Sequence, residues 1–140
     1  MSALTMTVAS QINVTVENIP GQLAKVARLL ADAGISINGL SCTEIGSKAT
    51  WHFVVSDVNA AKTVLAKAGH QSAIEEILEF ICPSDRPGVI ADIAESCAKA
   101  GVNIGSIYTA STGLEQPAVV YMWVDKAHFA KAKAACVRIM

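Results

Sequence analysis

The sequence predicts an α+β chain made of two copies of one βαββαβ sandwich, packed together, each an antiparallel sheet with its helices on one face. Three observations predict it. The stretch NIPGQLAKVARLLADAGISINGL, residues 18–40, returns 67 positions later as DRPGVIADIAESCAKAGVNIGSI, residues 85–107, without a gap. Pro20/Pro87, Gly21/Gly88, Ala24/Ala91, Ala27/Ala94, Ala31/Ala98, Ala33/Ala100, Gly34/Gly101 and Ile37/Ile104 are identical. Such an internal repeat outranks any local propensity. Around each copy, the hydrophobic period switches between two and 3.6 in the same order. The chain's 140 residues fit one ordinary domain or two very small ones, and at 52% hydrophobic and 16% charged it buries a core.

Each element follows in order. QINVTV, residues 11–16, alternates with Ile12, Val14 and Val16 on one face, a strand. Pro20 and Gly21 then open a helix, since proline fits the first turn, where its missing N–H has no intrahelical partner. Leu23, Val26, Ala27 and Leu30 recur at helical spacing, as do Ile90, Ile93, Ala94 and Cys97. Gly34 and Gly101 end the helices, where the chain needs a positive φ. Residues 35–43 and 102–109 read as second strands. After turns at Gly46–Ser47 and 111–113, residues 50–56 and 118–124 read as third strands, rich in Val and aromatics.

From there the copies align at a spacing of 68, which puts one extra residue in the second turn. On that spacing Trp51, Phe53 and Val55 form one apolar face, while Val54, Val120 and Met122 sit on the other. The sheet then wants a cover on both faces. A further helix carries Ala61, Val64, Leu65 and Ala68. Its counterpart carries Phe129, Ala132 and Cys136, with Lys133 interrupting at the place of Leu65. Residues 71–75 supply a fourth strand, which completes the split βαβ order of the ferredoxin-like sandwich. Residues 77–82 begin the second copy with no linker, so the division falls at 1–75 and 76–140. A unit of this size buries only about 60% of its unfolded surface, and the two are expected to share an interface. The second copy runs out of chain before its fourth strand, while LTMTV, residues 4–8, has no evident role in the first. Either LTMTV completes the second copy's sheet, in the same chain or a partner, or it lengthens the first strand.

Several function classes are disfavoured. Net charge is −1, and the 11 basic residues form no run, unlike a nucleic-acid surface. Sheets that bind RNA stack bases on aromatics, and only seven aromatic residues exist. No apolar run approaches the roughly 18 residues of a membrane span, and the N-terminus lacks a basic region followed by an apolar one. A cytoplasmic location is therefore expected. Cys42, Cys82, Cys97 and Cys136 form no CxxC pair, so no metal is expected; they read as thiols. Cys97 falls where the first copy has Leu30 and Cys136 where it has Ala68, both as small core residues. His52, His70 and His128 are unrepeated and adjoin no nucleophile. Ser41 or Cys42 beside Glu44 lacks a catalytic context. The chain reads as non-enzymatic and without cofactors.

The Asn/Asp-x-Pro-Gly turn, with a helix ending in AGISI or AGVNI on this element order, resembles the ACT domain. The two copies together resemble a stand-alone tandem ACT protein over residues 10–140. That resemblance implies a regulatory protein that binds an amino acid at the interface between ACT domains and signals to a partner enzyme. A homodimer is expected. An amino acid's carboxylate needs donors, and the helix N-termini after Gly21 and Gly88 offer N–H groups and partial positive charge. Glycine there permits close approach. Its ammonium needs acceptors, which the resemblance places at Asn18 and Asp85 before the Pro-Gly and at the start of the second strand. There Asn103 keeps the family residue and Ser36 departs from it. Paired copies would set Asn18 against Asn103, and Asp85 against Ser36. Simpler roles stand beside these: Asn18 and Asp85 as helix caps, Ser36 and Asn103 as exposed edge residues, the glycines as turn formers. The alternative function is a scaffold that has lost its ligand and binds another protein.

Overall fold

In the computed structural model, which describes residues 4–140, contacts divide the chain into a first unit, residues 10–75, and a second, residues 76–140 together with residues 4–9 of the N-terminal segment. The elements are β1 (Thr5–Glu17), α1 (Gln22–Asp32), β2 (Ile37–Ile45), β3 (Lys48–Val55), α2 (Val58–Lys67), β4 (Ser72–Cys82), α3 (Val89–Lys99), β5 (Ser106–Ser111), β6 (Ala118–Trp123) and α4 (Phe129–Val137). A short 3-10 turn, Lys126–His128, leads into α4.

In the first unit the strands lie in the order β2-β3-β1-β4, and in the second β1-β4-β6-β5. Both units draw on β1 and β4 because each of these strands is long. The separately expected strands at 71–75 and 77–82 are one strand. Gln11 reaches Glu75 and Thr5 reaches Ile81, so β1 and β4 run in opposite directions. The other pairs are antiparallel too. LTMTV thus does both things the sequence allowed. It lengthens β1, and it completes the second unit's sheet in the same chain, with Leu4 buried in that core and Met6 packed against it. Residues 4–9, grouped by the sequence reading with 1–75, belong with 76–140 because that is where Leu4 and Met6 find cover.

Helices cover one face of each sheet. The first core combines Ile12, Val14, Val16, Trp51 and Phe53 with Val26, Leu30, Ala61 and Leu65 from the helices. The second combines Leu78, Phe80, Val120 and Met122 with Val89, Ile93, Cys97, Ala132 and Cys136. Val120 and Met122 therefore lie on the helix-covered face, contrary to the sequence expectation. Register gives the reason. Phe53 pairs with Ile12 and Leu40, and Met122 with Leu78 and Ile107. Leu40 to Ile107 is a spacing of 67, while Phe53 to Met122 is 69. The second hairpin thus carries two extra residues, and a one-residue error in spacing turns every side chain to the other face. The 3-10 turn widens the spacing again. Buried Ala61 and Leu65 correspond to buried Ala132 and Cys136, 71 positions on. Cys136 stands for Leu65, not Ala68, and Lys133 aligns with Lys62 instead of interrupting the stripe.

Candidate functional site

The Pro-Gly turns are built alike. Gly21 and Gly88 are the N-caps of α1 and α3, with φ of 92° and 98°. A side chain at either position would be strained. Neither helix has a side-chain cap, so the capping role considered for Asn18 and Asp85 is not realised. Their surroundings then differ.

At the start of α1, the backbone N–H of Asn18 donates to Ser47 O at 2.8 Å and the residue is exposed. No acidic residue occupies the first turn, and nothing lies within 4 Å of the place a Cβ on Gly21 would take. The space beside Gly21 at this helix end is open. At the start of α3 the carboxylate of Asp85 is engaged. It accepts the Arg86 N–H at 2.9 Å and the Ser111 hydroxyl at 2.6 Å. The Asp85 backbone also bonds to Glu115 and Gln116. Asp85 thereby clips the α3 turn to the β5–β6 hairpin. The Arg86 guanidinium lies over Gly88, 3.3 Å from where a Cβ would sit, and pairs with Asp92 at 2.7 Å. That hydrogen bond to Asp92 raises the pKa of Arg86 further. The positive end of α3 has its own internal anion in Asp92.

Ser36 and Asn103 are both exposed beyond the opposite ends of these helices. Ser36 donates its N–H to Ser56 Oγ at 3.0 Å and accepts the Ser56 N–H. It lines an open groove of about 780 Å³ together with Ala24, Ala27, Arg28, Ala31 and Ile37. This groove follows the uncovered side of α1 to the first residue of β2, an edge strand. Asn18 and Gly21 are not part of it. Within one unit, therefore, the Pro-Gly turn and the strand-start position lie at opposite ends of an 11-residue helix, about 16 Å apart at 1.5 Å per residue. The structure brings Asn18 together with Gly21 and Asp85 with Gly88, but not Ser36 or Asn103 with the turn of its own unit. Sequence reasoning missed Arg28, a groove cation, and Arg86. Arg28 was legible as the residue one turn after Ala24 on the same helix face.

On the first unit's other sheet face, His52 Nδ1 lies 2.6 Å from Asn13 Oδ1, and buried Gln11 donates to Glu75 at 3.5 Å. Burial lowers the pKa of His52, opposed by the nearby Glu75 carboxylate. Among the described residues, no group of three or more His, Cys, Asp or Glu side chains is placed to hold a metal, and no helix is long and apolar enough to cross a membrane.

Compared with known proteins, the chain matches the family model of the ACT domain twice, over residues 10–68 and 77–134. No curated protein matched it by sequence. Among solved structures it is similar to a protein from Bacteroides thetaiotaomicron, at 23% identity and a TM-score of 0.84, covering 96% of this chain and 90% of that one. It is also similar to the regulatory subunit of aspartate kinase from Thermus thermophilus, at 22% identity and 0.67 over 98% and 95%. The corresponding subunit from Thermus flavus gives 24% and 0.62 over 98% and 95%. At these identities the likeness is one of fold.

Proposed function

The chain belongs to the ACT domain family, and from that premise we propose that it is a non-enzymatic regulatory protein that binds an amino acid and passes the signal to a metabolic enzyme. ACT domains are amino-acid-binding regulatory modules. The observation that carries the reading is the open start of α1, where a cap-free, acid-free helix N-terminus adjoins Gly21 and exposed Asn18. The ligand's carboxylate takes the N–H groups after Gly21, and Asn18 accepts from its ammonium. An amino acid is too short to reach from Asn18 to Ser36 along one helix. The strand-start acceptor therefore comes from another ACT domain, with Asn103 as the residue that fits. A homodimer in which this site is completed by a second chain satisfies that requirement, and a cytoplasmic location accords with the expected work. The regulatory subunits of aspartate kinase with the same fold make an amino-acid-metabolising enzyme a reasonable class of partner.

Asp85 favours the second reading, a ligand-free scaffold, for the second unit. Its carboxylate is already engaged by Ser111 and Arg86, and Arg86 covers Gly88. The reading thus assigns the working turn to Asn18 and Gly21.

Thermal unfolding against the twenty amino acids, each at millimolar concentration, tests the proposal. A ligand at a hundred times its Kd adds about 2.7 kcal/mol, and each kcal/mol moves the midpoint by roughly 2–8 °C for chains of this size. The expected result is a shift with one or a few related amino acids that Asn18→Ala and Asn103→Ala each remove. A flat panel removes the sensor reading and leaves the scaffold.

A further inference from the structure

The second unit holds a feature that amino-acid binding does not use. Cys97 on α3 and Cys136 on α4 face each other with their sulfurs 3.9 Å apart. Both are buried free thiols, at 1% and 0% exposure. The positions they occupy belong in the first unit to Leu30 and Leu65, which are fully buried. One repeat thus fills this helix–helix position with two leucines and the other with two cysteines. The neighbouring helix positions keep aliphatic side chains in both cores, Val26 and Ile93, Ala61 and Ala132. Two opposed leucines give a larger apolar contact than two thiols, so packing alone favours the first unit's solution. What two cysteines add is chemistry between the pair.

We propose that Cys97 and Cys136 form a reversible disulfide that staples α3 to α4, making the second unit a redox-responsive element. A disulfide needs the sulfurs at about 2.05 Å, about 1.9 Å closer than they stand, which is within reach of a side-chain rotation or a small helix shift. The oxidant is a low-molecular-weight disulfide. The thiolate of one cysteine attacks a sulfur of this reagent, forms a mixed disulfide and expels one small thiolate. The second cysteine, losing its proton to water, attacks the protein-side sulfur of the mixed disulfide and expels the other small thiolate. Two protein thiols are oxidised by two electrons, and one small disulfide is reduced to two thiols. Burial pushes both thiols up, Cys136 to about 12. Neither is a nucleophile in the closed unit at neutral pH. The first attack therefore waits on opening of α3 from α4, and the bond, once formed, holds them together.

The test exposes the full chain to glutathione disulfide at neutral pH. Thiols are then counted by alkylation after denaturation, with intact mass and peptide mapping. The four cysteines of the untreated chain should fall to two reactive thiols, or to one with a single glutathione on exposed Cys42, with none on Cys97 or Cys136, a 97–136 linkage, and restoration by a reducing thiol. The oxidised form should unfold at a higher midpoint than the reduced one. Cys42→Ser should still close the bond, while Cys97→Ser and Cys136→Ser should each prevent it. Four thiols remaining, stable mixed disulfides at 97 and 136, or a linkage through Cys82 would overturn the proposal. So would an oxidised form that unfolds at a lower midpoint, since that bond would belong to a distorted chain. The wild-type readouts stand whether or not the serine variants fold.

Discussion

Strand β1 passes through both units, so its two ends answer to different cores, and truncating one side chain at each end separates them. Leu4 is 9% exposed and sits in the cluster with Leu78, Phe80 and Met122. Ile12 is fully buried in the cluster with Phe53, Val26 and Leu30. Ile12→Ala leaves a fully enclosed void and should cost about 3–5 kcal/mol. Leu4→Ala, at the end of a strand and slightly open to solvent, should cost about 2–3 kcal/mol. Hydrogen exchange read by mass spectrometry assigns each loss to a place. Leu4→Ala should accelerate exchange in residues 89–99 and 118–123 and leave 22–32 and 48–55 near their wild-type rates. Ile12→Ala should do the reverse. The contrast is legible because local opening free energies differ between cooperative units. The reasoning fails if Leu4→Ala deprotects 48–55 as much as 118–123, or if it deprotects neither. The first result would mean that the chain opens as one unit. The second would mean that residues 4–9 do not complete the second sheet.

Three further outcomes are expected. The pKa of His52 is lowered in the folded state, so the unfolded chain binds its proton first as pH falls. The contribution from His52 is whole above pH 6.5 and is lost below it toward the folded pKa, and midpoints at pH 7.5 and 5.0 should differ less in His52→Gln than in the wild type. Asp85→Ala removes the acceptor for Ser111 and for the Arg86 N–H and should cost about 1–2 kcal/mol, measured by urea unfolding. Ser111→Ala should cost less because Asp85 keeps its backbone partner. At Gly105 a Cβ would lie 2.3 Å from the Trp123 ring, so Gly105→Ala should cost roughly 1–3 kcal/mol and disturb the near-UV circular dichroism of Trp123.

Much of this architecture was legible in the sequence because it is local. The positive φ at Gly21 and Gly88 follows from a turn that only glycine tolerates. The buried stripes Val26–Leu30 and Ile93–Cys97 follow from 3.6-residue spacing, and the repeat made each assignment twice. The family resemblance rested on the same short-range signals. The candidate site was legible only by halves: the turn residues were located, but that Asp85 is held by Ser111, 26 positions on, was not.

The identity and order of the elements, and the doubling of one βαββα plan, are local properties, since period, glycine and proline act within a turn or two of chain. Register and partnership were settled only in three dimensions. The β5–β6 hairpin holds one more residue than the single insertion read from the sequence, and that one residue puts Val120 and Met122 on the helix-covered face, because strand side chains alternate. Residues 4–9 join the core formed by 76–140, and Cys97 meets Cys136, through contacts between distant parts of the chain. Such contacts are chosen by where apolar surface finds cover in three dimensions, and no pattern local to either partner encodes that choice.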